Sequence, residues 1–382
     1  MKSIKIRTLI VCLFAALTFS SCIQDEALNS EAAIDGCKGS DVQLVNINTN
    51  DRIVDVYVKN DADLSKQELI FQLPQGATIK PNEIKSGDNG NVYDFSEGNQ
   101  CRLFTVTSED GDFSSVYNVR IQSPELPTSY HFENIAKTEE PFHIIYEESI
   151  SGANEWQYLQ WASGNPGYKL TFMAKGVMDY PTVLTEGGVS GNCVKLETKN
   201  TGSFGAMVKM YIAAGNLFIG NFDVTKALSG ASGGAKSTTF GVQFHKRPIA
   251  LKGYFKYKAG EIYTVEGKQQ DGIKDRFDIY ALMYEADDNS FMLDGTNAKT
   301  SDKLVYLAQI NKEDAVETDN WTEFNIPFKP QNGKELDAQK LRDGKYKIAI
   351  VFSSSVDGDT FKGAVGSTLY IDEVKLICDE NL

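Results

Sequence analysis

Four carboxylates of this chain stand inside short apolar runs: Glu197 in VKLET, Asp278 and Glu285 in FDIYALMYE, and Asp372 in STLYIDEVKL. Such acids are of chemical interest because hydrolysis of a glycosidic bond uses two carboxylates that face each other across the sugar. The ordinary alternative for each is a solvent-facing position on a half-exposed sheet. The sequence therefore supplies candidates for a catalytic pair without selecting one.

Asp278 is distinguished from the other acids by its neighbours. Side chains alternate between the two faces of a strand, so Asp278 shares a face with Tyr280, Leu282 and Tyr284. A face that mixes aromatic rings with an acid is suited to the wall of a sugar-binding groove, and Asp278 is predicted to bind carbohydrate.

Aromatic residues crowd the segment EWQYLQWASGNPG, which contains Trp156, Tyr158, Trp161 and Asn165. Sugar rings present apolar C–H faces that pack on aromatic side chains, while amides bind the hydroxyl groups. These four residues are predicted to bind carbohydrate, because exposed tryptophans in a loop-like segment are costly without a purpose. The alternative is that the rings fold back into the core.

The run RPIALKGYFKYK contributes two further candidates, Arg247 and Tyr254. Alternation places Tyr254 and Lys256 on one face and Phe255 and Tyr257 on the other, so one face is core and the other a candidate binding sheet. Arg247 precedes a proline, and its planar guanidinium suits sugar oxygens or carboxylates. A surface salt bridge is the alternative role for Arg247.

Other chemistries find little support in this sequence. His131, His143 and His245 have no metal-site or paired spacing, and neither a nucleophile elbow nor a glycine-rich phosphate loop is present. The formal charge of −14 excludes the basic footprint of a nucleic-acid binder. We therefore expect neither nucleotide nor nucleic acid as a partner.

The first 21 residues have the pattern of an export signal. A basic stretch is followed by the apolar run Leu9 to Phe19, and Ser20-Ser21 directly precedes Cys22. The pair of small residues before a cysteine resembles a bacterial lipobox, which implies that Cys22 becomes the lipidated N-terminus. An ordinary secretory signal is the alternative. We expect an outer-membrane lipoprotein, exposed at the cell surface and held to the membrane by its lipid alone.

The chain divides into predicted segments at changes of composition. Residues 1–21 form the signal peptide, 22–37 an acidic tether, 38–123 an Ig-like β-sandwich, 124–129 a proline-containing linker, and 130–382 a larger β-sandwich of the jelly-roll class. Short alternating runs separated by Asn, Asp, Gly and Pro make both units all-β. Cys37 and Cys101 could form a disulfide across the first unit, or remain free.

Five ordered phrases carry a family resemblance: WASGNPG, AGNLFIGNF, FGVQFHKRPIALKGYFKYKAG, DIYALMYE and FKGAVGSTLYIDEVKL. They resemble the putative carbohydrate metabolism domain family of Bacteroidetes lipoproteins, over roughly residues 130 to 380, preceded by a unit that resembles small Ig-like domains. The resemblance implies a jelly roll like that of carbohydrate-binding modules, in a glycan-related context. It carries over no catalytic residues.

Asp372 also resembles part of a metal site. Many jelly-roll carbohydrate-binding modules have an acid in their first strand and another in a closing phrase like YIDEV, and these acids hold a structural calcium. Here the two positions are Glu133 and Asp372. The alternatives for Asp372 are a catalytic acid, or an acceptor of backbone N–H bonds at a bulge that turns it outward.

The favoured interpretation is a lipid-anchored envelope protein whose C-terminal jelly roll binds a carbohydrate. The alternatives are a glycoside hydrolase with paired carboxylates in the same domain, and a non-enzymatic structural or adhesive surface protein.

Overall fold

The structure, a computed structural model, describes residues 28–123, 125–148, 158–227, 233–288 and 291–379. Most of the regular structure in these ranges is β, which confirms the predicted fold class. Among the described residues, none of the helices has the length and hydrophobicity needed to cross a membrane.

The strands of the N-terminal unit lie between residues 36 and 122. They are β1 (Gly36–Lys38), β2 (Val42–Asn48), β3 (Ile53–Val58), β4 (Gln67–Glu68), β5 (Ile70–Gln72), β6 (Thr78–Pro81), β7 (Val92–Tyr93), β8 (Cys101–Thr107) and β9 (Ser114–Gln122).

The strands of the C-terminal unit follow from residue 129 onward. The first group is β10 (Ser129–Tyr130), β11 (Asn134–Ile135), β12 (Ile145–Glu148), β13 (Tyr158–Gln160), β14 (Thr182–Glu186), β15 (Asn192–Glu197), β16 (Lys199–Asn200), β17 (Ile212–Ala213), β18 (Asn216–Phe218), β19 (Gly220–Phe222), β20 (Thr238–Phe240) and β21 (Val242–Gln243). The second group is β22 (Arg247–Lys258), β23 (Tyr263–Val265), β24 (Lys268–Gln269), β25 (Asp278–Glu285), β26 (Leu293–Asp294), β27 (Leu304–Gln309), β28 (Thr318–Pro327), β29 (Lys329–Pro330), β30 (Tyr346–Ser353), β31 (Gly363–Ala364) and β32 (Thr368–Asp379).

Short helices connect some of these strands. They are α1 (Asn165–Lys169), α2 (Gly202–Met207), α3 (Val224–Ala227), α4 (Gly233–Ser237) and α5 (Ala338–Arg342).

The N-terminal unit is built around a five-stranded sheet with the order β2-β3-β9-β8-β6, in which β3 and β9 run parallel. The small pairs β1–β5 and β4–β7 contribute residues such as Cys37 and Tyr93 to the same hydrophobic core as Val54 and Phe104 of the sheet. Cys37 and Cys101 are free thiols here, so the structure does not contain the disulfide considered from sequence.

The C-terminal unit is a β-sandwich of two six-stranded antiparallel sheets. The first sheet has the order β14-β15-β32-β22-β28, with β10 also paired to β32; the second has the order β18-β30-β25-β27-β29, with β21 also paired to β30. Residues of both sheets, among them Phe255 and Ile371 of the first and Ile279 and Ile350 of the second, form one continuous core. The predicted sandwich is thereby confirmed.

The second sheet is covered on both faces. Ile279, Ala281 and Met283 of β25 point into the sandwich core, whereas Tyr280, Leu282 and Tyr284 belong to a separate apolar cluster on the outer face. Residues outside the second sheet cover that outer face, among them Phe240 of β20, Leu293 of β26 and Ala298. Because β25 is buried on both sides, it reads as a nearly continuous apolar run.

A bulge in β32 changes the face on which Asp372 lies. Lys252 and Tyr254 of β22 pair with Lys375 and Asp372, so two steps on one strand correspond to three on the other, and Glu373 has a left-handed φ of 47°. Leu369 and Ile371 point inward before the bulge and Val374 and Leu376 after it. Strict alternation would put Asp372 in the same row as Val374 and Leu376, but one extra residue exchanges the two faces of the strand, as in the alternative of a bulge.

The two units are in contact. Leu44 and Tyr57 of the N-terminal sheet belong to the core of the C-terminal sandwich, and the Tyr57 hydroxyl accepts a hydrogen bond from the backbone N–H of Gln160 at 3.2 Å. The backbone N–H of Gln243 donates to the Gln43 side chain at 2.6 Å. The N-terminal unit therefore packs against the sandwich through a partly apolar interface.

Candidate functional site

A cavity of about 390 Å³ lies on the outer face of the second sheet, and we call it the outer cavity. Its base is formed by residues of β18, β25 and β30, and its sides by α1, α2 and the loops around residues 295–300 and 355–361. Aromatic residues in its lining include Phe222, Phe240 and Phe361. The outer cavity thus combines apolar walls with polar groups from several distant segments.

Asp278 and Lys299 form the charged part of the lining. Lys299 Nζ lies 2.5 Å from Asp278 Oδ2, and Gln309 Nε2 donates to the same carboxylate at 3.0 and 3.2 Å. The Lys299 ammonium also lies 4.4 Å from the ring centroid of Tyr280. The predicted sharing of a face by Asp278 and Tyr280 is found in the structure, where both residues line the outer cavity. The Asp278 carboxylate is buried and Lys299 is half-buried, and these additional contacts hold the two charges in fixed positions.

A second carboxylate, Asp359, lines the same cavity from a short 3₁₀ turn at Gly358–Thr360. Its side chain remains solvent-accessible, but nearby protein atoms remove part of its hydration and raise its pKa, while Lys299 acts in the opposite direction. The next residue in the wall, Phe361, has a φ of 57°. A left-handed backbone is unfavourable for a residue with a bulky side chain and persists only where its surroundings enforce it.

The loop that carries Asp359 is held from below by Asp275. Asp275 Oδ2 accepts hydrogen bonds from Ser355 Oγ at 2.6 Å, Ser367 Oγ at 2.7 Å and the Ala364 backbone N–H at 2.7 Å. Burial raises the pKa of Asp275, and these hydrogen bonds oppose that effect. The network connects the segments on both sides of the Asp359 turn, so it fixes this wall of the outer cavity.

Trp161 and Asn165 are not at a sugar-accessible surface. Trp161 is 3% exposed and packs with Tyr130 and Phe132, with ring centroids 5.2 and 5.6 Å apart. Asn165 is fully buried, where its amide donates to the Thr182 carbonyl at 2.7 Å and accepts from the Thr182 N–H at 3.1 Å. The structure contradicts a direct binding role for both residues, and the core alternative holds for Trp161.

The other predicted aromatic and basic residues are dispersed. Trp156 lies outside the described residues, and Tyr158 is the first residue of β13. Arg247 is exposed at the start of β22, opposite Asp379. Tyr254 is half-buried on the outer face of the first sheet, opposite Asp372. The first sheet and the outer cavity lie on opposite sides of the sandwich, so the predicted residues do not form one site.

Glu197 and Glu285 have become members of surface ion pairs. Glu197 lies 2.6 Å from Lys195 and 2.7 Å from Lys199. Glu285 is similarly held by two lysines, at 2.9 and 2.8 Å. Neither acid lines the outer cavity, so Asp278 and Asp359 are the described acids that share it.

Glu133 and Asp372 both hold the β14–β15 hairpin, Asp372 at its loop and Glu133 at Asn192, the first residue of β15. The backbone N–H groups of Val189, Ser190 and Glu373 donate to Asp372 at 2.6, 3.2 and 2.8 Å. Glu133 accepts from the backbone and side-chain N–H groups of Asn192. Burial raises the pKa of Asp372, and the backbone hydrogen bonds oppose this.

These surroundings can be tested against calcium, which takes six to eight oxygen ligands. The groups that hydrogen-bond to the carboxylates of Glu133 and Asp372 are N–H donors, and the described ranges contain no group of three or more His, Cys, Asp or Glu side chains placed to hold a metal ion. These N–H donors occupy carboxylate positions that a calcium ion would need, and calcium at Glu133 and Asp372 stays a prediction. The arrangement fits the alternative in which Asp372 accepts backbone hydrogen bonds beside a bulge.

Neither Lys299 nor Asp359 is among the residues that the sequence analysis singled out. Both stand in turn-rich segments, DGTNAKT and DGDT, that look like ordinary surface loops. The available signal was weak, because only the folded chain brings these loops to the face of β25.

Comparison with known proteins now adds the family. A model described as Putative carbohydrate metabolism domain matches residues 131–377. The chain belongs to this family. The resemblance found from the sequence phrases is thereby confirmed, and the C-terminal sandwich is the carbohydrate-related domain.

Two solved structures resemble this family member over long stretches. A putative glycoside hydrolase from Bacteroides thetaiotaomicron is 42% identical with a TM-score of 0.79, and the match covers 94% of this chain and 100% of that one. Another putative glycoside hydrolase, from Bacteroides vulgatus, is 42% identical with a TM-score of 0.61 and covers 67% of this chain and 100% of its own. No curated protein matches the chain.

Proposed function

We propose that this protein binds a carbohydrate in the outer cavity. The observation that carries the proposal is that Phe222 and Phe361 form apolar walls beside the fixed Asp278–Lys299 pair. Sugar-binding sites use this combination, because the C–H faces of a sugar pack on apolar surfaces while its hydroxyl groups form hydrogen bonds with polar and charged side chains. A volume of about 390 Å³ accommodates a small portion of a glycan.

The test is a glycan array followed by titration calorimetry, with the protein lacking its signal peptide. Lys299→Gln should weaken binding by removing an ammonium that reaches sugar oxygens, and Phe222→Ala by removing a stacking surface. Phe113→Ala, which truncates an exposed phenylalanine in the N-terminal unit, is the matched control and should not change affinity. The proposal fails if no glycan binds, or if the cavity variants bind as tightly as the control. The first of these outcomes would favour a structural or adhesive surface protein.

We also propose that the protein is an outer-membrane lipoprotein, exposed at the cell surface and anchored through Cys22. The support is the sequence pattern alone, since Cys22 lies outside the described residues. Labelled palmitate should be incorporated in the native bacterium and lost in Cys22→Ala. Protease added to intact cells should degrade the protein if it is surface-exposed; protection from protease would contradict that location.

A glycoside hydrolase is the second candidate. Two observations favour it: Asp278 and Asp359 line the same cavity, and two relatives 42% identical to this chain are described as putative glycoside hydrolases. The raised pKa of Asp359 suits a general acid that protonates the leaving oxygen. Asp278, held by Lys299 and Gln309, would serve as the second carboxylate.

Hydrolysis is tested by measuring newly formed reducing ends on the glycans that bind. Asp359→Asn should abolish turnover while retaining binding, because the amide preserves shape without a transferable proton. Asp302→Asn, at an exposed acid outside the outer cavity, serves as the control. Binding with no turnover by the wild-type protein would leave the carbohydrate-binding function and remove the hydrolase.

A further inference from the structure

The outer face of the first sheet has an unusual charge pattern for an acidic protein. Lys252 and Lys375 stand directly opposite each other on β22 and β32, and Lys256 and Lys258 follow along β22 on the same face. Although the whole chain carries a net charge of −14, none of these four lysines makes a salt bridge among the described residues. Like charges opposite each other on a sheet are destabilising, so the Lys252–Lys375 pair has a cost to the fold.

Aromatic rings stand between these cations. The Lys256 ammonium lies 4.5 Å from the ring centroid of Trp321 and 4.9 Å from that of Tyr370. Tyr254, between Lys252 and Lys256 in the sequence, is half-buried on the same face. Cation–π contacts of this kind hold Lys256 in place without neutralising its charge.

The carboxylates near this face compensate the four lysines only in part. Glu197 forms ion pairs with Lys195 and Lys199. Asp372 is covered by the β14–β15 loop and accepts hydrogen bonds from the backbone N–H groups of that loop. Glu323 stands opposite Tyr254 on β28, and Glu317, which pairs with Lys274, also interacts electrostatically with Lys258. The central strands therefore present a positive stripe with embedded rings. We call it the lysine face; it comprises Lys252, Tyr254, Lys256, Lys258, Trp321, Tyr370 and Lys375.

We propose that the lysine face binds an extended anionic polysaccharide, whose sugars carry carboxylate or sulfate groups. The ammonium groups bind the anionic substituents, and the rings of Tyr370 and Trp321 contact the C–H faces of the sugars. Charge complementarity selects this occupant, because an otherwise acidic protein repels polyanions elsewhere on its surface. The site lies on the opposite side of the sandwich from the outer cavity and does not depend on the function proposed there.

The test measures binding to dextran sulfate, to polygalacturonate and to uncharged dextran. Dextran and dextran sulfate share a backbone, so their difference in affinity reports the charge. The wild-type protein should bind both anionic polymers and not dextran. The double variant Lys252→Gln/Lys375→Gln should weaken this binding by about fivefold per lysine removed. The same variant should melt no lower than wild type, because it relieves repulsion between facing cations.

Further variants distinguish specific binding at the lysine face from general electrostatic attraction to polyanions. Tyr370→Ala should weaken binding to polygalacturonate even at high salt, where exposed charges are screened, and Tyr370→Phe should restore it. Lys80→Gln/Lys312→Gln removes two exposed lysines elsewhere with the same change in charge and should leave affinity unchanged. The proposal is overturned if dextran binds as well as dextran sulfate, if the control double variant weakens binding equally, or if Tyr370→Ala has no effect. Asp278→Asn distinguishes the two proposals, since it should leave polyanion binding intact.

Discussion

Replacement of Asp372 by alanine tests how the closing strand of the sandwich is held. In the folded protein its carboxylate accepts three backbone N–H bonds, two of them from the loop at Val189 and Ser190. The substitution leaves these donors without a partner at a site where Asp372 is fully buried. The β14–β15 loop would lose its attachment to β32, and we expect a clear loss of stability.

The size of the effect follows from two opposing contributions. A hydrogen bond to a charged acceptor is worth about 1.5–3 kcal/mol, and the two loop bonds have no substitute in the variant. Burial of the charged carboxylate is unfavourable, as its raised pKa indicates, so removal of the charge offsets part of this loss of free energy. The expected net loss is about 2–4 kcal/mol in the free energy of unfolding, or roughly 4–8 °C in melting temperature for a unit of this size.

Differential scanning calorimetry with and without EDTA is the appropriate assay. Asp302→Ala removes an exposed acid and should change stability by less than about 0.5 kcal/mol. If Asp372→Ala is equally mild, the hydrogen bonds do not have the assigned role. If EDTA lowers the melting temperature of the wild type but not that of Asp372→Ala, calcium binds there and the hydrogen-bond account is refuted.

Three other predictions concern local packing and titration. A Cβ at Gly188 would lie 2.3 Å from the Asn192 carbonyl oxygen and 2.6 Å from Asp372 Oδ2, so Gly188→Ala should lower the melting temperature. Gly176→Ala, with nothing within 4 Å of the new Cβ, should not; equal stability of the two variants would contradict the loop geometry. The Arg102 guanidinium holds the pKa of Asp88 well below its ordinary value of 3.8. The stability from this pair is therefore present above pH 3.8 and lost on further acidification, and calorimetry should show a smaller acid-induced loss in Asp88→Asn. An unchanged acid profile in that variant would count against the assignment. Burial raises the pKa of the Cys193 thiol to about 12, so a thiol reagent at pH 8 should modify Cys193 only after unfolding; rapid labelling of the native protein would show that the site opens.

The sequence predicted much of the architecture because strand formation leaves a local signal. Runs of alternating polar and apolar residues correctly indicated an all-β chain. The two-residue spacing of Asp278 and Tyr280 correctly placed both side chains on one face of their strand. The same reasoning failed for Trp161, since a tryptophan in a loop-like segment looks the same in sequence whether its ring turns inward or outward. At Asp372 the sequence left a catalytic acid, a calcium ligand and a bulge open, and the structure shows the single bulged residue that exchanges the faces of β32.

The sequence by itself determined the fold class and the family, because both depend on residue patterns within single strands and phrases. Only the tertiary structure decided which distant loops meet. Lys299 lies in the loop between β26 and β27 and Asp359 in the segment between β30 and β31, yet both line the cavity on the outer face of β25. Lys252 and Lys375 stand opposite each other on the neighbouring strands β22 and β32. Such meetings depend on strand order and register, which are set by packing of the whole core rather than by any local run of residues.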